Sequence, residues 1–436
     1  MRTRLVPWLV LGLLLHLVAG AIAQQQPASP YQLAVVTDRP EALYTVGEAA
    51  KFLVTLKKDG QAVPDAEISY QLDKDGMPPM DQGALKLEGG SGTIEGKLGE
   101  PGFLLCRVSY KTEEGDVIRA VAGAGFDPLK IGPSMPVPDD FDAFWAAQKA
   151  RLAAVPMEPK LTPVNSPQEG IEVFDVEIAC VPPRPVRGYY ARPAGAAPKS
   201  LPAILTVHGA GVRSSSLGGP AGLAKTYQAI AMDINAHGIP NGQTKEFYDA
   251  LSAGELKGYP HFGREDRETS YFLGMFLRVQ RALDFLTSQP EWDGQVLVVQ
   301  GSSQGGGQSI AAAGLDPRVT LISAGVPAIC DHTGKAVGRT NGWPRLADVA
   351  GKPDPKIMEV SRYFDCVNFA TRAKAEAIFS VGFIDGTCAP TSVYAAYNAW
   401  PGKKQIINEP LMGHSVSRKL GEVTAARIRA QIDARK

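Results

Sequence analysis

The feature that most constrains the fold is a series of short apolar runs in the second part of the chain. Six such runs alternate with stretches of helical periodicity, at residues 202–209, 227–236, 295–301, 320–327, 377–385 and 404–410. Strands that are apolar along both faces are typical of a parallel sheet covered by helices. Residues 271–289 and 417–434 have the period of such helices, and 139–155 form an amphipathic segment with Asp140 as its expected cap. Residues 137–436 are therefore predicted to form an open, doubly wound α/β domain.

The N-terminal part has a different pattern. Residues 31–126 contain short alternating segments separated by Gly and Asp turns at regular spacing. This spacing predicts an all-β, immunoglobulin-like sandwich, in which we find no catalytic constellation. Residues 127–136 are proline-rich and are expected to form an extended linker. A chain of 436 residues also exceeds one typical core, which agrees with two domains.

The first residues have the composition of a signal peptide. Arg2 and Arg4 precede an almost wholly apolar run at 5–22, and Ala21-Ile22-Ala23 fits the small-residue cleavage pattern. An uncleaved membrane anchor is the alternative, because the run is about long enough to span a bilayer. The polar residues 24–26 favour cleavage after residue 23. We therefore expect a secreted or periplasmic protein with no membrane segment after cleavage.

Charge and cysteine content limit the partners. Lys and Arg together number 45, as do Asp and Glu, so the net charge is zero. This balance argues against nucleic acid and anionic membranes as partners. The five cysteines lack metal-ligand spacing, and we expect no metal site and at most one disulfide, with Cys330 and Cys366 as the candidate pair. Core packing is the expected role for most of the cysteines.

The segment Gly301-Ser302-Ser303-Gln304-Gly305 stands directly between an apolar run and a small-residue helix. A G-x-S-x-G motif in this context is typical of a nucleophile elbow, in which a tight turn raises the serine to the sheet edge. A phosphate loop would need a following Lys-Ser or Lys-Thr, and a dinucleotide loop a different glycine spacing. The motif therefore predicts Ser303 as a nucleophile.

A serine nucleophile needs a general base and an acid that orients the base. Two histidines follow Ser303 in the sequence, His332 and His414. His414 follows the last apolar run and precedes the last helix, where the base is expected, whereas His332 is expected in a loop. Asp385 ends the run 377–385 and is the predicted acid, with Asp331 as the alternative.

An oxyanion formed during acyl transfer needs backbone N–H donors. The residue after the nucleophile, Gln304, supplies the first. The loop after the run 202–209 contains His208-Gly209-Ala210-Gly211, and Ala210 is the predicted second donor. We expect His208 to brace this loop rather than to act as the base.

Residues 137–436 resemble the acetyl xylan esterase and cephalosporin C deacetylase family of carbohydrate esterases. The resemblance depends on four segments and on the terminal histidine loop; the segments are DDFDAFW (139–145), HGAG (208–211), FLTSQPEWDGQVLVVQGSSQGG (285–306) and GFIDGTCAPTSVYAAYN (382–398). It implies an α/β-hydrolase that removes acetyl groups from xylan, short xylo-oligosaccharides or cephalosporin C without a cofactor. The family triad carries over to Ser303, Asp385 and His414, and the oxyanion donors to Ala210 and Gln304.

The sequence departs from the family at two places. Ala210 replaces the usual tyrosine, and the family's Arg-Gly-Gln motif is absent from residues 233–242. The expected substrate is an acetylated oligo- or polysaccharide. The resemblance implies a ring-shaped oligomer, and the added N-terminal domain is an argument against that ring. The candidate substrate contacts are His208, His237, Tyr271 and Trp292. Two alternatives stay open, a serine peptidase of the same fold and a non-catalytic carbohydrate-binding protein.

Overall fold

The computed structural model describes residues 29–435, so the predicted signal peptide lies outside the described residues. Residues 31–126 form strands only. Their bounds are β1 (Tyr31–Thr37), β2 (Leu43–Tyr44), β3 (Ala50–Lys58), β4 (Gln61–Ala62), β5 (Glu67–Lys74), β6 (Pro79–Lys86), β7 (Ser91–Gly96), β8 (Gly102–Lys111) and β9 (Val117–Phe126).

These strands form two sheets around one apolar core. In the first, β3 pairs with β1, β4 and β7, and the second has the order β2-β9-β8-β5-β6. Residues alternate between buried and exposed along β3, where Phe52 and Val54 point inward. They pack in the same cluster as Cys106 of β8 and Phe126 of β9, so both sheets bury one face against a shared interior.

Residues 137–435 form a large α/β unit. Its strands are β10 (Lys160–Val164), β11 (Ile171–Ile178), β12 (Val186–Pro193), β13 (Leu201–Val207), β14 (Ile230–Ile234), β15 (Trp292–Ser302), β16 (Leu321–Gly325), the short β17 (Asp348–Val349) and β18 (Lys352–Pro353), β19 (Glu376–Gly382) and β20 (Lys404–Glu409). Its helices are α1 (Phe141–Ala153), α2 (Gly218–Tyr227), α3 (Lys245–Ala253), α4 (Tyr271–Ser288), α5 (Gln304–Leu315), α6 (Pro355–Ser361), α7 (Cys366–Ala370), α8 (Pro390–Ala399) and α9 (Arg418–Asp433).

Nine of these strands form one mixed sheet, in the order β10-β11-β12-β14-β13-β15-β16-β19-β20. From β14 to β20 every neighbouring pair is parallel, and each of the six predicted apolar runs contributes one of these strands. The prediction of a parallel sheet missed the three antiparallel strands β10, β11 and β12 at one edge. The α/β architecture is confirmed, with a mixed rather than a wholly parallel sheet.

Helix α1 begins where the sequence predicts, but its expected cap does not act as one. The Asp140 side chain accepts no hydrogen bond from the helix backbone. It instead accepts hydrogen bonds from Arg267 and from the Tyr363 hydroxyl. The carboxylate therefore connects α1 to neighbouring loops.

The N-terminal strands and the α/β unit share part of their interior. Phe103 of β8 belongs to the core of the α/β unit, and its ring lies 4.9 Å from that of Phe383 and 5.6 Å from that of Tyr394. The segment expected to be an extended linker is packed as well. Asn398 donates hydrogen bonds to the carbonyls of Pro128 (2.9 Å) and Ile131 (2.8 Å).

All five cysteines are buried free thiols, so the expected Cys330–Cys366 disulfide is absent. The Cys330 thiol donates to the Ala328 carbonyl (3.3 Å), and that of Cys366 to the Gly307 carbonyl (3.2 Å). Core packing describes these side chains better than cross-linking. Within residues 29–435, no helix combines the length and the apolar character that crossing a membrane requires.

Candidate active site

Ser303 lies in the tight turn between β15 and α5. Its backbone has φ 58° and ψ −124°, a sparsely populated conformation that costs about 1–3 kcal/mol. The turn is fixed on both sides, because the Ser303 N–H donates to the Gly325 carbonyl (2.8 Å) and the Ser303 carbonyl accepts from Ala328 N–H (2.9 Å). A Cβ on Gly301 or Gly305 would lie 2.3 or 2.2 Å from the Val207 carbonyl oxygen. The two glycines of the motif are therefore required by this close approach.

Three loops bring Ser303, His414 and Asp385 into one chain of hydrogen bonds. His414 lies between β20 and α9, and Asp385 follows β19, so all three lie at the same edge of the parallel strands. His414 Nε2 lies 2.8 Å from Ser303 Oγ, and His414 Nδ1 lies 2.8 Å from Asp385 Oδ2. The arrangement can remove the serine proton and hold the imidazole in the tautomer that does so.

The loop after β19 fixes the carboxylate. Asp385 Oδ1 accepts hydrogen bonds from the N–H groups of Thr387 (2.8 Å) and Cys388 (2.9 Å), and the side chain is completely buried. The alternative acid, Asp331, lies elsewhere and accepts from Ser134 N–H (2.9 Å) and Arg339 Nε (3.0 Å). The structure thus places Asp385, rather than Asp331, against His414.

One group of ligand-bearing side chains coincides with these residues. Asp385, Cys388 and His414 have ligand atoms within 4.8 Å of one another. Burial raises the pKa of the Cys388 thiol well above its usual range, so the metal-binding thiolate is disfavoured. The Asp385–His414 pair is also already joined by its own hydrogen bond. The donor set suits proton transfer better than a resident metal ion.

The loop after β13 contains the predicted oxyanion donor Ala210. A Cβ on the neighbouring Gly209 would lie 3.5 Å from Ser303 Cβ, so this loop passes directly beside the nucleophile. The Arg213 guanidinium donates to the carbonyls of Gly209 (3.2 Å) and Ala210 (3.0 Å), which fixes both peptide planes. The other predicted donor, Gln304 N–H, belongs to the first turn of α5, where backbone N–H groups lack an intrahelical acceptor.

A single hydroxyl connects the two predicted halves of this oxyanion hole. Tyr259 donates a hydrogen bond to Gln304 Oε1 (2.6 Å) and accepts one from Gly211 N–H (3.4 Å). Burial raises the pKa of Tyr259 to about 12, so the group is a neutral phenol near neutral pH. The position of Gln304 and that of the 208–211 loop are therefore coupled through one side chain.

His237 and Tyr271 also support the 208–211 loop. His237 Nε2 lies 3.1 Å from the Gly211 carbonyl, and Nδ1 lies 2.7 Å from the Tyr271 hydroxyl. Burial lowers the pKa of His237 to about 4, so the ring is neutral near pH 7. A neutral ring facing a carbonyl donates from Nε2, which leaves Nδ1 to accept from Tyr271.

The four candidate substrate contacts occupy different places. His237 is completely buried and, with Tyr271, supports the oxyanion loop from within. His208 Nδ1 lies 2.7 Å from the Gly209 carbonyl, and burial lowers the pKa of His208 to about 3, in keeping with a brace. Trp292 begins β15, at the opposite end of this strand from Ser303. The structure does not bring Trp292 together with the triad.

Two residues of the site were missed by the sequence reasoning. Arg213 follows the HGAG segment by two positions, and a cation so close to an oxyanion loop was an available signal. Tyr259 lies in a short 3-10 turn about 45 residues before Gln304 in the sequence, and no local pattern marks it. Its contact is formed only by the tertiary fold.

Comparison with known proteins places this geometry in a family. The family model described as acetyl xylan esterase (AXE1) matches residues 129–428. The chain is 30% identical to an acetyl esterase, Axe7A, of Xylanibacter ruminicola over 406 residues, which covers 91% of this chain and 90% of the relative. A solved acetyl xylan esterase from Paenibacillus sp. R4 is 28% identical, with a TM-score of 0.59, and the match covers 70% of this chain and 98% of that one.

A second solved structure shows the fold alone. Acetyl xylan esterase 1 from Thermoanaerobacterium sp. JW/SL YS485 is 24% identical, with a TM-score of 0.60, and the match covers 70% of this chain and 97% of that one. The match to Axe7A covers nine tenths of the chain and so extends well into the N-terminal strands. Both solved structures leave about a third of this chain unmatched.

Proposed function

Because this chain belongs to the acetyl xylan esterase family, we propose that it is a serine carboxylesterase that removes O-acetyl groups from xylan or xylo-oligosaccharides. The observation that carries the proposal is the hydrogen-bond chain Ser303–His414–Asp385 at the edge of the sheet, with both bonds at 2.8 Å. A serine activated in this way attacks ester carbonyls. The acetyl group and the carbohydrate part of the substrate are inferred from the descriptions of the family and of the similar proteins.

The chemistry follows from the positions of the groups. His414 Nε2 takes the proton of Ser303 Oγ as the oxygen attacks the acetyl carbonyl carbon. The N–H groups of Ala210 and Gln304 hold the oxyanion of the tetrahedral intermediate. When the C–O bond to the sugar breaks, the imidazolium returns its proton to the sugar oxygen and leaves an acetyl-serine. A water molecule, deprotonated by His414, then attacks the acetyl-serine, and acetate leaves as Ser303 regains its proton.

We propose a separate role for each part of the chain. Residues 137–436 are the catalytic α/β-hydrolase domain, and 31–126 are an immunoglobulin-like sandwich joined to it through 127–136. A signal peptide at 1–23 directs the protein to the periplasm or the exterior, which fits an insoluble or oligomeric plant polysaccharide as substrate. Support for export comes from the sequence pattern at residues 2–26.

The test measures acetate released from acetylated xylo-oligosaccharides by wild-type protein and by Ser303→Ala. We expect the variant to lose about 10⁴-fold or more in kcat, because it lacks the oxygen that forms the acyl-enzyme. Ser302→Ala is the matched control: it removes a neighbouring hydroxyl in the same turn and should retain most of the activity. A butyryl ester and a peptide amide test the acyl and bond preference.

The alternatives give different results in the same assay. Cleavage of the amide without acetate release would make the protein a peptidase. A folded wild-type protein that binds the oligosaccharide but releases no acetate would be a binding protein. Activity that survives Ser303→Ala would exclude Ser303 as the nucleophile.

A further inference from the structure

A groove of about 670 Å³ lies on the N-terminal unit, away from the triad. It is formed by β5, β6, β8 and β9 of the five-stranded sheet. The N-terminal unit has no other assigned role beyond its contact with the α/β unit. The chemistry of the groove is therefore open to inference from its side chains.

Polar side chains cover the groove in two cross-strand rows. The register aligns Ser69, Ser109 and Arg119 in the first row. The second row aligns Gln82, Gln71 and Arg107. Because alternate residues of a strand face opposite sides, the neighbouring Ile68 and Leu72 of β5 enter the core while these polar groups face solvent.

The charge in the groove is positive and partly uncompensated. Arg107 lines the groove and donates from Nε to Asp73 (2.7 Å), and its two terminal amino groups make no hydrogen bond to any of residues 29–435. Arg119 donates weakly to the Val117 carbonyl (3.4 Å), and within residues 29–435 no carboxylate lies within 4.0 Å of its guanidinium. A guanidinium group is suited to bidentate binding of a carboxylate, and Gln and Ser side chains are suited to sugar hydroxyls.

The groove adjoins the α/β unit, which carries the triad and is the catalytic unit of the proposed enzyme. Two positions along the register from Arg107–Val121, on the same face of the sheet, lies the pair Leu105–Gly123, and both residues are buried. Gly123 lies against the main chain of Phe383, where a Cβ would be 2.6 Å from the carbonyl oxygen. Phe383 lies in the turn after β19 and precedes Asp385 by two residues. A chain bound in the groove therefore lies alongside the catalytic unit rather than on a detached surface.

We propose that this groove binds a uronic-acid-bearing stretch of polysaccharide, with Arg119 and Arg107 on the carboxylate and the Gln and Ser side chains on sugar hydroxyls. This inference rests on the proposed function, since an acetylated xylan chain is the polymer that a uronic acid branch would mark. The N-terminal unit then holds acidic substrate against the catalytic unit and gives the enzyme a preference for charged over neutral chains.

Binding is measured by calorimetry with two probes, a glucuronic-acid-branched xylo-oligosaccharide and an unbranched one of the same length. The full chain carries Ser303→Ala so that no ester is turned over. We expect the branched probe to bind at least tenfold more tightly, and its binding to weaken as salt is added. Arg119→Gln should weaken the branched probe by about tenfold, which is the loss of one charge-assisted hydrogen bond.

Matched variants separate the groove from general charge. Lys51→Gln removes an exposed cation from β3 of the other sheet and should leave both affinities unchanged. Arg119→Lys keeps the charge but loses the planar fork, so its affinity should fall between those of wild type and Arg119→Gln. Thermal unfolding of each variant checks that the sheet is intact.

The two proposals fail in different ways. Equal affinity for the two probes, or an unchanged affinity after Arg119→Gln, overturns the groove inference even if acetate release depends on Ser303. Absence of Ser303-dependent acetate release overturns the esterase function. The ratio of the affinities for the two probes tests the groove independently of that result. A comparable loss for Lys51→Gln would mean that general surface charge, not this groove, attracts the acid.

Discussion

Two loops of the site are held by different kinds of interaction. The loop that carries Asp385 lies against the N-terminal unit, where Phe103 packs its ring 4.9 Å from that of Phe383. The oxyanion loop at 208–211 is held by polar side chains instead, through Arg213, Tyr259 and His237. The loop of the predicted acid is thus packed against an apolar side chain of another unit, and the loop of the predicted oxyanion donor Ala210 is held by hydrogen bonds within the catalytic unit.

This difference predicts different sensitivities. Apolar packing depends on shape, so a cavity beside Phe383 should lower the stability of the junction. It should also let the loop that carries Asp385 move. Hydrogen bonds depend on single atoms and protonation states, so the oxyanion loop is sensitive to isosteric changes that leave the core intact. The three experiments that follow test the comparison from the larger expected effect to the smaller.

Removing the ring at the junction should have the largest effect on stability. Phe103 is completely buried, and Phe103→Ala should lower the free energy of unfolding by about 3–5 kcal/mol. It should also lower kcat for acetate release, because Phe383 gains room to move and precedes Asp385 by two residues. Denaturant unfolding and initial rates measure the two effects, at a temperature where the variant is folded.

The matched control is Phe52→Ala, which empties an equally buried site in the N-terminal core with no contact to Phe383. We expect it to lower stability by a similar amount without lowering kcat. Equal rates for the two folded variants would show that the junction stabilises the protein but does not position the acid.

A smaller effect, on kcat alone, is expected at the oxyanion loop. Tyr259→Phe removes the hydroxyl that bonds both Gln304 Oε1 and Gly211 N–H and retains the ring. We expect kcat to fall by about tenfold with little change in KM, because the donors act mainly on the transition state. Tyr248→Phe is a control, since its hydroxyl binds the Pro240 carbonyl away from the nucleophile. A change confined to KM would assign Tyr259 to substrate binding instead.

The sequence predicted the catalytic unit better than the parts that support it. Strands β13, β14, β16 and β19 of the parallel region are buried along almost their whole length, and buried strands that alternate with helices are typical of a parallel sheet. The antiparallel β11 mixes buried and half-exposed residues, as in Ile171–Ile178, so its pattern was not recognised. The triad was predictable because each member follows its own strand at one edge of the sheet.

The supporting contacts were not predictable, because they join residues distant in sequence. Nothing local to Phe103 indicates that it enters the core of the α/β unit, and Tyr259 carries no motif. The histidines show the same limit: His237 was a candidate substrate contact, and only its complete burial shows that it supports the oxyanion loop. Burial is a property of the tertiary fold, and residue type gives only a prior for it.

The last experiment compares the two loops by pH. Burial lowers the pKa of His237 from 6.5 to about 4, whereas the unfolded side chain titrates near 6.5. Between these values the unfolded state binds more protons, so the contribution of His237 to stability is complete above pH 6.5 and is lost as the pH falls toward 4. The Phe103 contact contains no titratable group and should not follow this trend. Buried Asp233 and Asp365, whose pKa values burial raises to about 7, act in the opposite direction, so a difference between variants is needed.

We therefore expect wild-type protein to lose up to about 2 kcal/mol relative to His237→Gln when the pH falls from near 7 to near 5. Glutamine keeps a donor for the Gly211 carbonyl but binds no proton in this range. Urea unfolding at the two pH values measures the difference, and Phe103→Leu serves as the control because its cost should be the same at both. A wild-type loss equal to that of His237→Gln would mean that His237 binds protons alike in the folded and unfolded states, so that the folded ring is charged at pH 5. At that pH the oxyanion loop would be held by an imidazolium. The comparison would then be between a loop held by apolar packing and a loop held by a charged side chain.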